Sequence, residues 1–515
     1  MNFLQHRPRG YTGLGDSRLP RIIETLAQLL IKAQNRLAYD TLFLPDQEFF
    51  KLAHVLVEFA EDLHHHLGIW QSLERYNLDL FGTPLPLILP ANRPIPQTPS
   101  MEDRLHHLLW ALYAEIYPDL ILAPAHRDLQ RLAAIAAEFL TKKFARMRQQ
   151  SGIKQFLTHR DKYGWDVKRK LVWLGQHSYL FRYNFWNYIE NQGGKADIPT
   201  IDDFICQETT AWSGLGVIDI LAGILPLTED QRATLRHWYE RHAAYYLVVE
   251  RRSNHLKLLN LINDATYKVR IDGSDVFSEE QVVFGSLLPW AGEWYWSGEQ
   301  RLLGSVPETV RQELRERLLR TASQIVYRYD KQHLAVAQET VERMHQHFLN
   351  YHGDNLVIYP DGLSMAADIQ KMYRLYNESL PDPVKSKAMA EHELTTPKPS
   401  MPYPPEIIEN ENGVALFSNP GEGTELMVDF NEVINGLKKR GDDLSEDEAD
   451  TIRGFIQSEA ISPQFVERVV SEYGRESIGA AFLIRDREDP SYFDYLLRRY
   501  KGHFYRNRYP SVTIV

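Results

Sequence analysis

The sequence contains very little cysteine, since its 515 residues include only Cys206. A single thiol cannot form an intramolecular disulfide, which excludes a disulfide-stabilised secreted fold and any metal site built on two or four cysteines. Long apolar runs are also missing. The longest candidate, residues 215–227, is interrupted by Asp219 and Pro226 and is too short to cross a bilayer. We therefore expect no membrane association.

Targeting signals and catalytic motifs are missing as well. The first twenty residues lack the apolar core of a signal peptide, which together with the lone cysteine predicts a cytoplasmic protein. The chain has no GxSxG, HExxH or kinase signature. The GxG triplets that begin at Gly13 and Gly421 lack the other glycines of a nucleotide-binding loop. The sequence therefore identifies no reaction and no cofactor.

The overall composition is that of a folded protein with several domains. Hydrophobic residues make up 43% of the chain and charged residues 25%, which is the ordinary globular range. At roughly 150 residues per domain, the length suggests about three domains. Acidic residues outnumber basic ones by 69 to 58, which gives a net charge of −11. The whole protein is therefore no general polyanion binder, although local patches can still be basic.

The spacing of apolar residues predicts which parts are helical and which are extended. Through the first 245 residues apolar positions recur every three or four residues, as on one face of a helix. Between residues 246 and 305 the period changes to short runs rich in Val, Ile and Tyr, separated by turn residues such as Asp272–Gly273. This pattern predicts four or five short strands in a small barrel or bent sheet.

A proline-rich stretch divides the chain again near its C-terminal end. Residues 381–405 contain seven prolines and few apolar residues, a composition typical of a linker. The predicted organisation is a helical domain (1–245), a small all-β domain (246–305), a helical segment (306–380), the linker (381–405) and a C-terminal α+β domain (406–515). The predicted fold class is therefore α+β, mainly α, with a large helical N-terminal region and a β-barrel-like insert.

Basic residues are concentrated in one stretch of the N-terminal half. Residues 142–170 hold ten basic and two acidic residues, whereas residues 391–460 hold sixteen acidic and five basic residues. Phosphate neutralisation needs such a concentration of positive charge. The residues of this stretch that we predict to contact a polyanion are Lys142, Lys143, Arg146, Arg160, Lys162, Lys168, Arg169 and Lys170.

A second basic stretch lies at the C-terminal end and is interleaved with aromatic residues. Its basic members are Arg498, Arg499, Lys501, Arg506 and Arg508, and its aromatic members are Tyr500, Phe504, Tyr505 and Tyr509. Basic groups neutralise phosphates and aromatic rings stack on bases, so the combination predicts contact with single-stranded RNA or DNA. Two alternatives remain open: the basic stretches dock on the acidic stretch, or they form solvated faces of helices.

Two further groups are candidates for ligand binding. Trp294 and Trp296 lie two residues apart in an aromatic tract, where they form either a ligand-stacking surface or part of the core of the predicted barrel. Glu61 with His64, and Asp103 with His106, have the carboxylate-x-x-His spacing of helix-borne metal sites. The same spacing also occurs in exposed pairs that only stabilise a helix.

These observations support three hypotheses of different kinds. The favoured one is a non-catalytic intracellular binding protein that contacts RNA, DNA or an acidic protein through a basic, aromatic surface. The alternative is a metal-dependent enzyme with its carboxylate and histidine site in the N-terminal helical region. A third hypothesis is an assembly subunit, in which the acidic stretch of one copy pairs with the basic stretch of another in a symmetric oligomer.

Overall fold

A computed structural model of the protein describes most of the chain. The described residues are 3–13, 15–35, 44–85, 97–116, 126–147, 150–207, 214–239, 242–261, 264–273, 277–327, 331–391, 403–439, 443–482, 491–505 and 513–514. The chain forms two compact units, Met1–Asp330 and Lys331–Val515. Helices dominate both, and each also contains a small β structure. This confirms the predicted fold class, α+β and mainly α.

The first unit begins with a helical region. Its helices before the barrel are α1 (Leu19–Gln34), α2 (Asp46–His65), α3 (Ile69–Phe81), α4 (Met101–Ile116), α5 (Arg127–Phe144), α6 (Gly152–Thr158), α7 (Gly164–His177), α8 (Arg182–Asn191), α9 (Ile198–Gln207), α10 (Val217–Ile224) and α11 (Glu229–Arg236). Helix α1 packs against α2 and α5, and α4 packs against α5. Buried residues such as Leu26 and Leu56 form the contact faces, as the helical spacing of apolar residues predicts.

A closed five-stranded barrel follows in the same unit, which confirms the predicted β-barrel-like insert. Its strands are β1 (His242–Arg251), β2 (His255–Asn260), β3 (Thr266–Arg270), β4 (Val282–Trp290) and β5 (Glu293–Gly304). They are hydrogen-bonded in the order β1-β2-β3-β5-β4, and β4 closes back on β1. The β3–β5 pair is parallel and the other pairs are antiparallel. Helix α12 (Glu308–Tyr327) then packs against β1.

Alternation of side chains along β2 and β3 separates the barrel core from its surface. Leu256 and Leu258 of β2 are buried in the core, as is Val269 of β3. The residues between them, including Lys257, point outward. The β4–β5 hairpin turns through Ala291 and Gly292, both with positive φ, as a two-residue type I′ turn requires. The turn therefore fixes the register in which β4 and β5 pair.

The second unit has a four-stranded sheet and a set of helices. Its elements are α13 (Lys331–His352), β6 (Leu356–Tyr359), α14 (Gly362–Ser379), α15 (Asp382–Glu391), α16 (Pro405–Ile408), β7 (Val414–Asn419), β8 (Gly423–Met427), α17 (Phe430–Lys438), α18 (Glu446–Gln457), α19 (Pro463–Tyr473), α20 (Glu476–Ala481), α21 (Ser491–Lys501) and β9 (Thr513–Ile514). The sheet order is β6-β7-β8-β9. Leu416 and Leu426 pack with Phe348 and Ile369 in its core.

The segment predicted to be a linker is helical at both ends. Helix α15 occupies its first part and α16 begins at its last residue, while residues 392–402 lie outside the described residues. Farther along, Ser445 and Glu448 form both hydrogen bonds of a capping box at the start of α18. Within the part of the chain that the structure describes, no helix has both the length and the apolarity needed to cross a bilayer.

Candidate nucleic-acid interface

The basic stretch 142–170 runs from the end of α5 through α6 into α7. Lys142, Lys143 and Arg146 are exposed at the end of α5, and Lys142 forms an ion pair with Glu138. Arg160 and Lys162 are exposed in the connection between α6 and α7. Arg148 and its neighbour lie outside the described residues. These five described side chains therefore present their charge to solvent.

The last three basic residues of the stretch have different environments. Lys170 is completely buried; its ammonium forms an ion pair with Asp161 and donates hydrogen bonds to two carbonyl oxygens. Lys168 is mostly covered and binds Asp202 and the Ser297 hydroxyl, so it joins α7 to α9 and to β5. Arg169 is exposed on α7, and its guanidinium lies over the ring of Phe156. Lys170 and Lys168 thus hold the fold together rather than face solvent.

Strands β2 and β3 place further basic residues on the outside of the barrel. We call this surface the barrel face and define it by His255, Lys257, Thr266, Lys268 and Arg270. Lys257 and Lys268 are directly opposite each other in the ladder, and so are His255 and Arg270. Both lysines are exposed and form no ion pair with any residue that the structure describes. Two positive charges therefore face each other across neighbouring strands.

The barrel face meets the basic stretch at Tyr163. The Arg270 guanidinium lies 4.8 Å from the centroid of the Tyr163 ring, and the Lys162 ammonium lies 5.0 Å from the same centroid. Both distances suit cation–π contacts. Since Arg270 belongs to the barrel and Lys162 to the helical region, these contacts join the two sources of positive charge into one surface.

Aromatic side chains accompany this positive charge. The ring of Trp165 lies 4.7 Å from that of Tyr163 and 5.4 Å from that of Tyr295, measured between centroids. We call these three residues the aromatic cluster. Trp165 is 41% exposed, which is unusual for so large an apolar side chain. The cluster therefore offers an open ring beside the exposed lysines and arginines.

Glu293 is the acidic residue next to this surface. Its carboxylate contacts His255 Nε2 at 2.6 Å and accepts hydrogen bonds from Arg270 at 3.1 and 3.2 Å. Burial acts to raise the pKa of Glu293, but the hydrogen bonds from His255 and Arg270 outweigh it and lower the pKa. Glu293 is therefore ionised at neutral pH and orients Arg270.

The two tryptophans predicted to stack on a ligand lie against the barrel core. Trp294 contacts the ring of Tyr267, with 4.7 Å between centroids, and Trp296 lies between Tyr246 and Phe277. Both indoles are partly buried and pack against the same core cluster. Their ligand-stacking role stays a prediction; the more exposed ring in this region belongs to Trp165.

The basic residues of the C-terminal stretch belong to the second unit. Arg498 is buried and forms an ion pair with Asp494. Lys501 is also buried and donates hydrogen bonds to the carbonyls of Phe455 and Ser458. Arg499 is half-buried, and the predicted contacts Arg506 and Arg508 lie outside the described residues.

The two carboxylates of the predicted metal site, Glu61 and Asp103, are bonded to other side chains of the protein. The Glu61 carboxylate binds Arg7 at 2.8 Å, and Asp103 accepts hydrogen bonds from Ser100 at the start of α4. His64 packs against His65 and Phe144, and His106 is buried on α4. Among the residues that the structure describes, no group of three or more His, Cys, Asp or Glu is arranged to hold a metal.

Sequence reasoning missed the barrel face. The signal was present, because the strand sequences HLKLLN and TYKVR alternate apolar residues with Lys257, Lys268 and Arg270. Period-two alternation indicates that such lysines point away from the core. The pairing of β2 with β3, and the position of Tyr163 beside Arg270, depend on contacts between distant parts of the chain, which composition and spacing do not reveal.

The comparisons with known proteins give one match. Residues 25–190 match the model of a family described as "Protein of unknown function (DUF3843)". The match covers about a third of the chain and includes the whole basic stretch. No curated protein and no solved structure matches the chain. Because the family description assigns no activity, the function has to be argued from the residues themselves.

Proposed function

We propose that this protein binds single-stranded nucleic acid, with phosphates on the barrel face and bases on the aromatic cluster. The observation that carries the proposal is the pair Lys257 and Lys268, exposed and directly opposite each other. Like charges at such positions destabilise an antiparallel ladder. A phosphate bound between them would remove this repulsion, since its oxygens can accept hydrogen bonds from both ammonium groups.

The aromatic cluster supports a nucleic acid as the ligand rather than any other polyanion. Stacking of a base on an aromatic side chain contributes about 1–3 kcal/mol and tolerates any sequence. Trp165 offers an exposed ring next to Tyr163, which already carries Arg270 and Lys162 over its own ring. A single-stranded nucleic acid that runs from the barrel face to Trp165 would therefore contact the basic residues with its phosphates and then stack a base on the Trp165 ring.

The shape of the barrel is compatible with this proposal. The barrel has five strands, as do the oligonucleotide-binding barrels in which the face of strands 2 and 3 binds the ligand. Here the same two strands carry Lys257 and Lys268. A shared fold assigns no function by itself, so the proposal depends on these residues and not on the barrel.

The proposal includes the cell compartment and the kind of activity. We assign the activity to the cytoplasm, since a single cysteine suits a reducing compartment. Binding itself is the function, with no reaction attached. The exposed members of the basic stretch, from Lys142 to Lys162 and Arg169, extend the path of positive charge beyond the barrel face.

The proposal is tested by measuring how salt changes binding. A labelled single strand of about 12 nucleotides is titrated with the wild type and with Lys257→Gln/Lys268→Gln by fluorescence anisotropy. The slope of log K against log salt is negative, and each lost phosphate contact makes it less steep by about 0.7 for single strands. We therefore expect the slope of the double variant to be less steep than that of the wild type by about 1.4. Lys195→Gln, at an exposed lysine between α8 and α9, is the matched control and should leave the slope unchanged.

The proposal is wrong if the double variant binds the strand with the wild-type affinity and slope. It is also wrong if an acidic peptide competes as well as the strand while Trp165→Ala binds normally, because that result indicates an acidic protein partner. The predicted C-terminal contacts are tested separately with Arg506→Gln/Arg508→Gln. A weaker slope in that variant would add the C-terminal stretch to the binding surface.

A further inference from the structure

A cavity lies in the helical region of the first unit, between α1 and α2. Its volume is about 460 Å³, within the range of about 300–1,000 Å³ that is typical of small-molecule sites. Ile23 and Phe50 form apolar walls, and His54 lies among the lining residues. Phe50 is 38% exposed, so part of its ring is left uncovered by protein. The surface of the cavity is thus mainly apolar, with polar groups supplied by Glu24, Gln47, Lys51 and His54, and ligand sites generally combine the two.

The polar group farthest from solvent in this cavity is His54. Its side chain is almost completely buried, and its Nε2 lies 3.7 Å from Glu58, which in turn forms an ion pair with Arg182 at 2.8 Å. Burial lowers the pKa of His54 by more than the nearby Glu58 carboxylate raises it, and Arg182 lowers it further. His54 is therefore a neutral imidazole near pH 7, which can both donate and accept a hydrogen bond.

A second histidine extends this buried polar cluster away from the cavity. The ring of His6 packs edge-on against that of His54, with 5.4 Å between centroids. Its Nδ1 is buried and has no hydrogen-bond partner among the described residues. Buried titratable groups beside a cavity are candidates for contact with a ligand.

The charges at the rim limit what the cavity can accept. Lys51 and Glu24 line the opening and carry opposite charges, and Lys51 already forms an ion pair with Glu48 at 2.7 Å. No net positive charge is left to neutralise a phosphate. Gln47, also at the rim, supplies an amide that can donate and accept hydrogen bonds. These groups suit a neutral ligand with hydrogen-bonding edges.

We propose that the cavity binds a neutral heteroaromatic ring of the nucleobase type, free or as its nucleoside, which stacks on Phe50 and hydrogen-bonds to His54. A planar ring can pack on the exposed side chain of Phe50, and donors and acceptors on its edge match His54 and Gln47. The site does not depend on the barrel face, because its lining residues belong to α1 and α2.

Isothermal titration calorimetry with adenosine, guanosine, cytidine and uridine tests this proposal. At least one nucleoside should bind, and Ile23→Trp, which fills the cavity, should weaken that binding about tenfold or more. The matched control is Leu29→Trp, at a half-exposed position on the same helix that does not line the cavity; it should change the affinity by less than about twofold. Lys257→Gln/Lys268→Gln should have no effect.

The chemical class of the ligand is tested with two competitors. The monophosphate of the bound nucleoside should bind about fivefold more weakly or worse, and an aliphatic carboxylate such as octanoate should not displace the nucleoside. The proposal is overturned if none of the four nucleosides binds, if Ile23→Trp leaves binding intact, or if either competitor binds as tightly as the nucleoside. Should Ile23→Trp fail to fold by circular dichroism, Phe50→Ala takes its place, with an expected loss of about threefold or more.

Discussion

Lys170 illustrates why the position of a charge matters more than its sign. It belongs to the basic stretch by sequence, yet it is completely buried between α6 and α7. Its ammonium forms an ion pair with Asp161 and donates hydrogen bonds to the carbonyl oxygens of Leu157 and His159. Removing one member of such a buried pair leaves the other charge uncompensated, which is costly.

Lys170→Met should therefore lower the free energy of unfolding by about 3 kcal/mol. The change preserves the length of the side chain but removes the ammonium that binds Asp161. Urea denaturation measures the effect, and Lys154→Met, at an exposed lysine on α6, is the control, with an expected change within about 0.5 kcal/mol. Equal stability of the two variants would contradict the structural role of Lys170.

The buried histidines make the stability of the first unit depend on pH. Burial and the nearby Arg182 lower the pKa of His6 from 6.5 to about 3. Below pH 6.5 the unfolded chain therefore takes up a proton that the folded chain does not, and the free energy of unfolding falls as the pH falls. For His6 the loss is about 1.4 kcal/mol per pH unit below 6.5.

Replacing His6 removes its share of this dependence, while His54 and His65, whose pKa values burial also lowers, keep theirs. His6→Phe should reduce the drop in stability between pH 6.5 and 5 by about 2 kcal/mol, as measured by denaturant unfolding at each pH. His159→Phe, at an exposed histidine after α6, should leave the pH profile unchanged. If the wild type and His6→Phe lose the same stability between pH 6.5 and 5, His6 takes up its proton in the folded protein as it does in the unfolded chain.

Among the secondary-structure elements, the start of α7 has the closest connection with the proposed function. Asp166 accepts hydrogen bonds from the backbone amides of Lys162 and Tyr163, which fixes the first turn of the helix. Gly164 sits directly against the Tyr295 ring, so that a Cβ added there would lie 2.6 Å from a ring carbon. Helix α7 and strand β5 therefore approach each other closely enough to align the aromatic cluster.

Gly164→Ala should separate α7 from β5. We expect a loss of about 1–3 kcal/mol in stability from overpacking, together with weaker binding of single strands as the aromatic cluster shifts. Gly454→Ala is the matched control, because its added methyl group meets nothing within 4 Å on α18 and should stabilise the helix by up to about 1 kcal/mol. Normal stability and binding in Gly164→Ala would show that the cluster tolerates this displacement.

The whole molecule consists of two units with separate cores. Leu56 is buried in the first and Leu416 in the second. Chains of this kind generally do not unfold as a single two-state system. We expect two transitions in scanning calorimetry, with Leu56→Ala lowering one of them and Leu416→Ala the other, each by about 2–5 kcal/mol in stability. A single transition that both variants shift equally would contradict this division.

Sequence predicted the architecture better than the site. The helices and the barrel could be predicted because apolar residues recur about every 3.6 positions in a helix and every two positions in a strand, and this repeat determines which side chains face a core. Lys170 was also predictable in principle, since it shares a helix face with Val167, Leu171 and Leu174, but the run of basic residues obscured that pattern. The pairing of Lys257 with Lys268 beside Tyr163 depends on folding of distant segments, and one sequence does not specify it.

The closed barrel has a consequence for how partners are recognised. Strand β2 of the barrel face is hydrogen-bonded along its length to β1 on one side and to β3 on the other, so it offers no unsatisfied backbone edge to an incoming extended peptide. A partner that docks on β2 is therefore recognised by side chains. Single substitutions of these side chains should therefore change the binding specificity of this surface while the backbone of the barrel stays the same.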